Sequence, residues 1–147
     1  MDKEAVQVPV LMYHSISEGP GPTCIPRPVF QAQMDTIAAA GWTVAPLSSV
    51  AAWRLKGVPP LVKSLVITFD DGYCDFATDA YPCLDAHGFV ATVFVPTRRL
   101  GVPECWDGAN QPPRPLMNWD TLCQLSAKGI EFAPHGRTHA NLAKLDN

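Results

Sequence analysis

The run Ser64-Leu65-Val66-Ile67-Thr68-Phe69 is rich in apolar and β-branched residues and shows no polar alternation. A strand with one wet face alternates apolar with polar residues, so a run of this kind reads as a strand buried on both faces. Strands of that type belong to parallel sheets whose faces are covered by crossover helices. Asp70-Asp71-Gly72 follows at once, so the polar residues begin where the chain must leave the core.

Four further strand-type runs occur at Val8 to Tyr13, Trp42 to Ala45, Ala91 to Val95 and Ile130 to Ala133. Helical patterns separate them. Phe30 to Ala40 repeats Phe30, Met34, Ile37 and Ala38 before Gly41; Ser48 to Leu55 has Ser48 as a candidate cap and Gly57 with Pro59-Pro60 as a stop. Asp75 to His87 is closed by Gly88, and a helix from Asn118 or Trp119 to Lys128 ends at Gly129. Strands alternating with helices at this spacing imply parallel β/α units with right-handed crossovers, wound into an open sheet or a barrel. In both, chemistry collects at the C-terminal ends of the strands, where Asp70, Asp71, Pro96 and His135 fall.

With 147 residues, 47% hydrophobic and 17% charged, the chain has the composition of one globular domain over 1–147. A net charge of −3 supplies no basic stripe, so nucleic acid is not expected as a partner. The start, Met1 to Gln7, is charged and lacks the pattern of a signal peptide, and the apolar runs are too short to cross a bilayer, which leaves localisation unknown. Cys24, Cys74, Cys83, Cys105 and Cys123 are odd in number and show no CxxC spacing, so they read as thiols rather than as a zinc site or a disulfide framework.

The chemistry concentrates in two pairs. Asp70 and Asp71 sit at the mouth of the buried run, and Gly72 permits a sharp turn; one acid can bind a cation while the other takes a proton from water. A purely structural use, one Asp capping the next helix and the other solvated, is the competing reading. His135 and His139 lie just beyond the fifth strand run, and if that turn is helical their i, i+4 spacing puts both imidazoles on one face.

Leu65 to Tyr73, with Thr68-Phe69-Asp70-Asp71-Gly72 at its centre, and His135-Gly136-Arg137-Thr138-His139 resemble two motifs of the polysaccharide deacetylase family, also called the NodB homology domain or carbohydrate esterase family 4. Pro9 to Ile16, Ala80 to Phe89 and Ala91 to Thr97 are similar to the neighbouring family segments. The resemblance implies a distorted (β/α)7-type barrel and hydrolysis of acetyl groups from a carbohydrate, an N-acetylglucosamine polymer foremost. It implies Asp71, His135 and His139 as ligands of a divalent metal, usually zinc, and Asp70 as general base. His14 and Tyr73 are candidate substrate contacts.

Two departures from the family pattern bear on these expectations. Gly136 stands where the family has Ser or Thr, which is expected to loosen the histidine loop. The family's third to fifth motifs, among them a Leu-x-His that protonates the leaving amine, are not found before Asn147. The reading is therefore a partial barrel with its C-terminal strands missing, an open edge suited to self-association, and metal binding with impaired turnover. The alternative is a fragment that serves as a metal-binding or interaction module; a phosphoryl-transfer site lacks a phosphate loop and leaves the histidine pair unexplained. Trp106, within the loop from Pro96 to Pro115, and Trp119, just beyond it, are expected in the core before sugar stacking. His87 reads as a helix-end residue.

Overall fold

The computed structural model describes residues 7–58, 63–106 and 112–145. The charged start through Val6, the Pro59-Pro60 stop and Asn147 lie outside the described residues. Five strands form, β1 (Val10–Tyr13), β2 (Thr43–Val44), β3 (Ser64–Phe69), β4 (Thr92–Val95) and β5 (Glu131–Pro134), and every pairing is parallel. The sheet order is β1-β3-β4-β5, with β2 pairing the first two residues of β3. All six residues of β3 are buried, which is what its unbroken apolar run requires. β1 and β5 end the strand order, and within the described residues they do not pair with each other.

Phe30, Met34 and Ile37 form the buried stripe of α1 (Arg27–Ala39). Pro28 falls in its first turn, where a missing N–H costs no helical bond. Tyr13, Phe30, Phe69 and Phe76 interlock at ring centroid distances of 4.8 to 5.8 Å and weld β1, β3 and α1 into the centre of the core. Each buried aromatic of this kind contributes about 1.5–3 kcal/mol.

The second helix, α2 (Leu47–Lys56), begins after Pro46, and Ser48 does not cap it through its own side chain. Instead the Ser48 N–H and hydroxyl both donate to the Glu131 carboxylate, which also accepts from Thr92 Oγ1, so one acid ties α2 to β4 and β5. The segment expected as a single helix from Asp75 is a π turn (Phe76–Ala80) followed by α3 (Tyr81–Ala86). Pro82 has no N–H to give, which coincides with the change of winding. His87 closes α3 as expected, its Nδ1–H donating to Cys83 O (2.8 Å) and its Nε2 facing Asp35 Oδ1 (2.8 Å).

Asn118 caps α4 (Trp119–Ser126) by accepting the Thr121 N–H. Trp119, expected in the core, is 66% exposed at the first position of that helix, at the edge of a cavity it lines with Leu122 and Phe132. Trp106 also lies outside the central core cluster. No helix of the described residues is long and apolar enough to cross a membrane.

Candidate metal centre

The parallel strands deliver their C-terminal ends to one side, and His14, Asp70, Asp71 and His135 leave from the ends of β1, β3 and β5. Asp71 and Gly72 have φ of 73° and 70°. Two consecutive positive φ values are the signature of a tight turn for which Asp-Gly is a preferred sequence. The turn swings Asp71 under the sheet rim, where the residue is only 4% exposed, and sends Tyr73 back into the fold.

The histidines converge by a different route from the helical one expected. Residues 135–139 are irregular, with a bend at Arg137 and Thr138 and φ of 71° at Gly136 and 60° at His139. The parallel ladder of β4 and β5 continues into them through His135 N–H to Val95 O, Thr97 N–H to Gly136 O and Arg98 N–H to Arg137 O. Gly136 thus occupies a backbone conformation that favours glycine, and Thr97 Oγ1 donates to its carbonyl at 3.4 Å. In place of a hydroxyl on residue 136, backbone contacts from the residues that follow β4 hold this loop from the side.

His139 Nε2 lies 3.1 Å and His135 Nε2 3.5 Å from Asp71 Oδ1. All three candidate ligand atoms fall within 4.8 Å of one another. Asp71 Oδ1 is buried and makes no hydrogen bond. An orphaned buried carboxylate oxygen is costly, and three lone pairs aimed at one point repel. A cation resolves both, and ligand atoms about 2.1 Å from a tetrahedral ion stand about 3.4 Å apart, close to the distances seen. The residues present therefore fit a divalent metal. A non-glycine residue at positive φ costs about 1–3 kcal/mol and persists where surroundings over-determine it, a pattern typical of functional sites.

Asp70 stands beside this group at the end of β3, and His14 Nε2 is 4.0 Å from its Oδ2. His14 is thus placed next to the candidate base, as expected of a rim residue. Tyr73 is not at the groove. It is 1% exposed, its hydroxyl donates to Glu104 Oε2 (2.8 Å), and the Arg114 guanidinium lies 3.8 Å over its ring. Tyr73 is corrected from a candidate substrate contact to a buried support, because the Asp-Gly turn reverses the chain direction before it. Burial and the Glu104 carboxylate push its hydroxyl pKa far above the usual value.

Glu104, Arg114 and Trp106 were not assigned to a cluster by sequence reasoning. Burial would raise the Glu104 pKa, but hydrogen bonds from the Arg114 side chain and backbone and from Tyr73 hold it at about 2. The only sequence signal was two opposite charges ten residues apart in a Pro-rich loop. Trp106 stacks on His139 with ring centroids 4.3 Å apart. With Thr138, Asn141 and His139 it lines a groove of about 520 Å³. Asp75 accepts a hydrogen bond from Ser15 Oγ, and burial raises its pKa against that hydrogen bond.

Residues 57–147 match the family model described as polysaccharide deacetylase. Over 99 residues the chain is 34% identical to YxkH, a polysaccharide deacetylase homologue of Bacillus subtilis, covering 67% of this chain and 35% of that protein. Among solved structures, the Streptococcus pyogenes deacetylase PplD in complex with acetate superposes with a TM-score of 0.77 at 24% identity, over 96% of this chain and 61% of that one. IcaB from Ammonifex degensii gives 0.75 at 22% identity, over 87% of this chain and 52% of that one. These likenesses show a shared α/β fold of which the five parallel strands are a part, and the chain spans between about a third and three fifths of these relatives. With more than half of its residues inside the family model, the chain belongs to the polysaccharide deacetylase family.

Proposed function

We propose that this chain carries the metal-binding half of a deacetylase site that removes acetyl groups from an acetylated carbohydrate, with Asp71, His135 and His139 as ligands of a divalent cation, zinc in the usual case, and Asp70 as general base. The observation that carries this reading is the convergence of two imidazole nitrogens on the orphaned Asp71 Oδ1. A cation bound there supplies Lewis acidity toward an acetyl carbonyl and lowers the pKa of water.

Asp70 takes the proton of the attacking water, and its partly exposed carboxylate is open to that water. It then holds the proton that the departing amine needs, with His14 beside it to steady the carboxylate and meet the substrate. The groove beside His139 accommodates a sugar ring. An N-acetylglucosamine polymer is the leading substrate class, in line with the fold shared with a de-N-acetylase from Aggregatibacter actinomycetemcomitans; the products are acetate and a free amine.

The test is acetate release from chitin oligomers and from poly-N-acetylglucosamine. Measurable acetate release is the expected outcome, to be set against the roughly 1 to 1,000 turnovers per second usual for enzymes. Asp70→Asn lowers that rate by about 100-fold or more while metal content is kept. Equal rates for Asp70→Asn and the unaltered chain would remove Asp70 as the base.

A second reading, a metal-binding or interaction module, is favoured by one feature. Among the described residues β1 ends the strand order, with Val10 53% and Met12 62% exposed, which suits self-association along that edge. A stable oligomer in size exclusion, without acetate release, would favour it.

A further inference from the structure

The loop after β4 is tied to the turn that carries Asp71. Cys74 N–H donates to Pro115 O and Met117 N–H to Gly72 O, while Gly101 N–H donates to Met117 O and Glu104 N–H to Arg114 O. The two described arms of the loop, 101–106 and 112–117, thus form a small backbone-linked layer on residues 72–74. Its centre is a desolvated charge cluster in which the Glu104 side chain is fully buried. Arg114 Nε and N–H reach Glu104 Oε1 at 2.9 and 3.0 Å, and Arg114 Nη2 reaches Oε2 at 3.1 Å as well as the Tyr73 hydroxyl. Bidentate geometry of this kind fixes orientation as well as distance. Two residues beyond Glu104, Trp106 leaves this layer and lies on the His139 imidazole at an interplanar angle of 29°.

A histidine that holds a metal is ordinarily oriented by a hydrogen bond from its second nitrogen to a carboxylate or carbonyl. Among the described residues, no hydrogen bond orients the ring of His139; its polar neighbour is Asp71 Oδ1, on the side of Nε2. Its backbone sits at a φ of 60°, which does not by itself set the ring plane. The indole of Trp106 is stacked against that ring.

We infer that Trp106 is a positioning residue for His139, held over the imidazole by the buried Glu104–Arg114–Tyr73 cluster, so that the loop after β4 sets the geometry of the Asp71–His135–His139 group. The inference rests on the metal reading of that group. Because Trp106 is half-buried and outside the core, replacing it leaves the fold in place, and bulk can be separated from stacking. Trp106→Phe keeps an aromatic face, whereas Trp106→Leu keeps apolar volume without one.

The experiment is titration of the chain and both variants with Zn2+ by calorimetry and with Co2+ by visible absorption, with urea midpoints as the control for folding. Trp106→Leu is expected to weaken Zn2+ binding about tenfold, at the lower end of what supporting residues of a metal site contribute, and to alter the Co2+ band. Trp106→Phe is expected to restore most of both. Equal Zn2+ affinity and an unchanged Co2+ band in Trp106→Leu would overturn the inference while leaving the metal reading intact. Equal losses in Phe and Leu variants would overturn it too, by assigning Trp106 to specific packing rather than to stacking. If the unaltered chain takes up neither ion, the metal reading fails first and the inference falls with it.

Discussion

Gly72 is where backbone geometry and packing meet at the proposed centre, so Gly72→Ala is the most informative single change to the scaffold. Its φ of 70° lies in the left-handed region, and an added Cβ would stand 2.7 Å from Val95 Cγ1 and 3.5 Å from Val95 Cβ. The left-handed conformation costs an L-residue about 1–2 kcal/mol. Overpacking against a β-branched neighbour that is 5% exposed adds about 1–3 kcal/mol, because Val95 has no room to turn. The sum, about 2–5 kcal/mol, is a large part of the roughly 5–15 kcal/mol that holds a domain folded. At a urea dependence of about 2 kcal/mol per molar, the midpoint should fall by about 1–2.5 M.

A double-mutant cycle with Val95→Ala separates the two contributions. In the Val95→Ala background the clash is relieved, so Gly72→Ala should cost only about 1–2 kcal/mol, the backbone share. The assay is urea unfolding followed by far-ultraviolet circular dichroism. A cost of Gly72→Ala below about 0.5 kcal/mol, or one identical in both backgrounds, would refute the placement of Gly72 against β4.

Gly136→Ser restores the residue type common in the family at a φ of 71°, where no atom crowds a Cβ, so it should destabilise by about 1–2 kcal/mol rather than tighten the loop; an increase in the unfolding midpoint would contradict this. Glu104 is held at about 2 against an ordinary 4.5, so its contribution is complete above pH 4.5 and is lost as the pH falls toward 2. Accordingly, the stability gap between the unaltered chain and Glu104→Gln should be widest near neutral pH and shrink below pH 4.5, and a gap independent of pH would argue against the buried ion pair. Asp75, whose pKa burial raises, acts with the opposite sign and cannot produce that acid loss.

The parts of this protein that are legible in its sequence are those with a periodic or local signal. Ser64 to Phe69 announces a doubly buried strand, and Phe30, Met34 and Ile37 announce a helix stripe; both recur in the structure because burial acts locally. The acid pair and the histidine pair were readable from residue type and position at strand ends, the choice of Asp71 came from the family resemblance, and the structure gathers Asp71, His135 and His139. The route was not readable. A positive φ at His139 replaces the helical turn, since the β4 ladder extends into the histidine loop and overrides the local spacing.

The Glu104–Arg114–Tyr73 cluster and the Trp106 stack left no periodic trace, because loop contacts depend on the path of the chain and not on its repeat. Tyr73 looked like a rim residue by adjacency to the acid pair, yet the left-handed turn at Asp71 and Gly72 carries it inward. Trp119 looked like core by type, yet its place at the first turn of α4 exposes it.

Metal content measured by elemental analysis, on the unaltered chain and on Asp71→Ala after equal exposure to Zn2+ and removal of excess ion, tests the central claim most directly. One equivalent bound by the unaltered chain, and a loss to near zero in Asp71→Ala with the fold retained, is the predicted result. Equal metal content in the two proteins would contradict it and take Asp71 out of the ligand set.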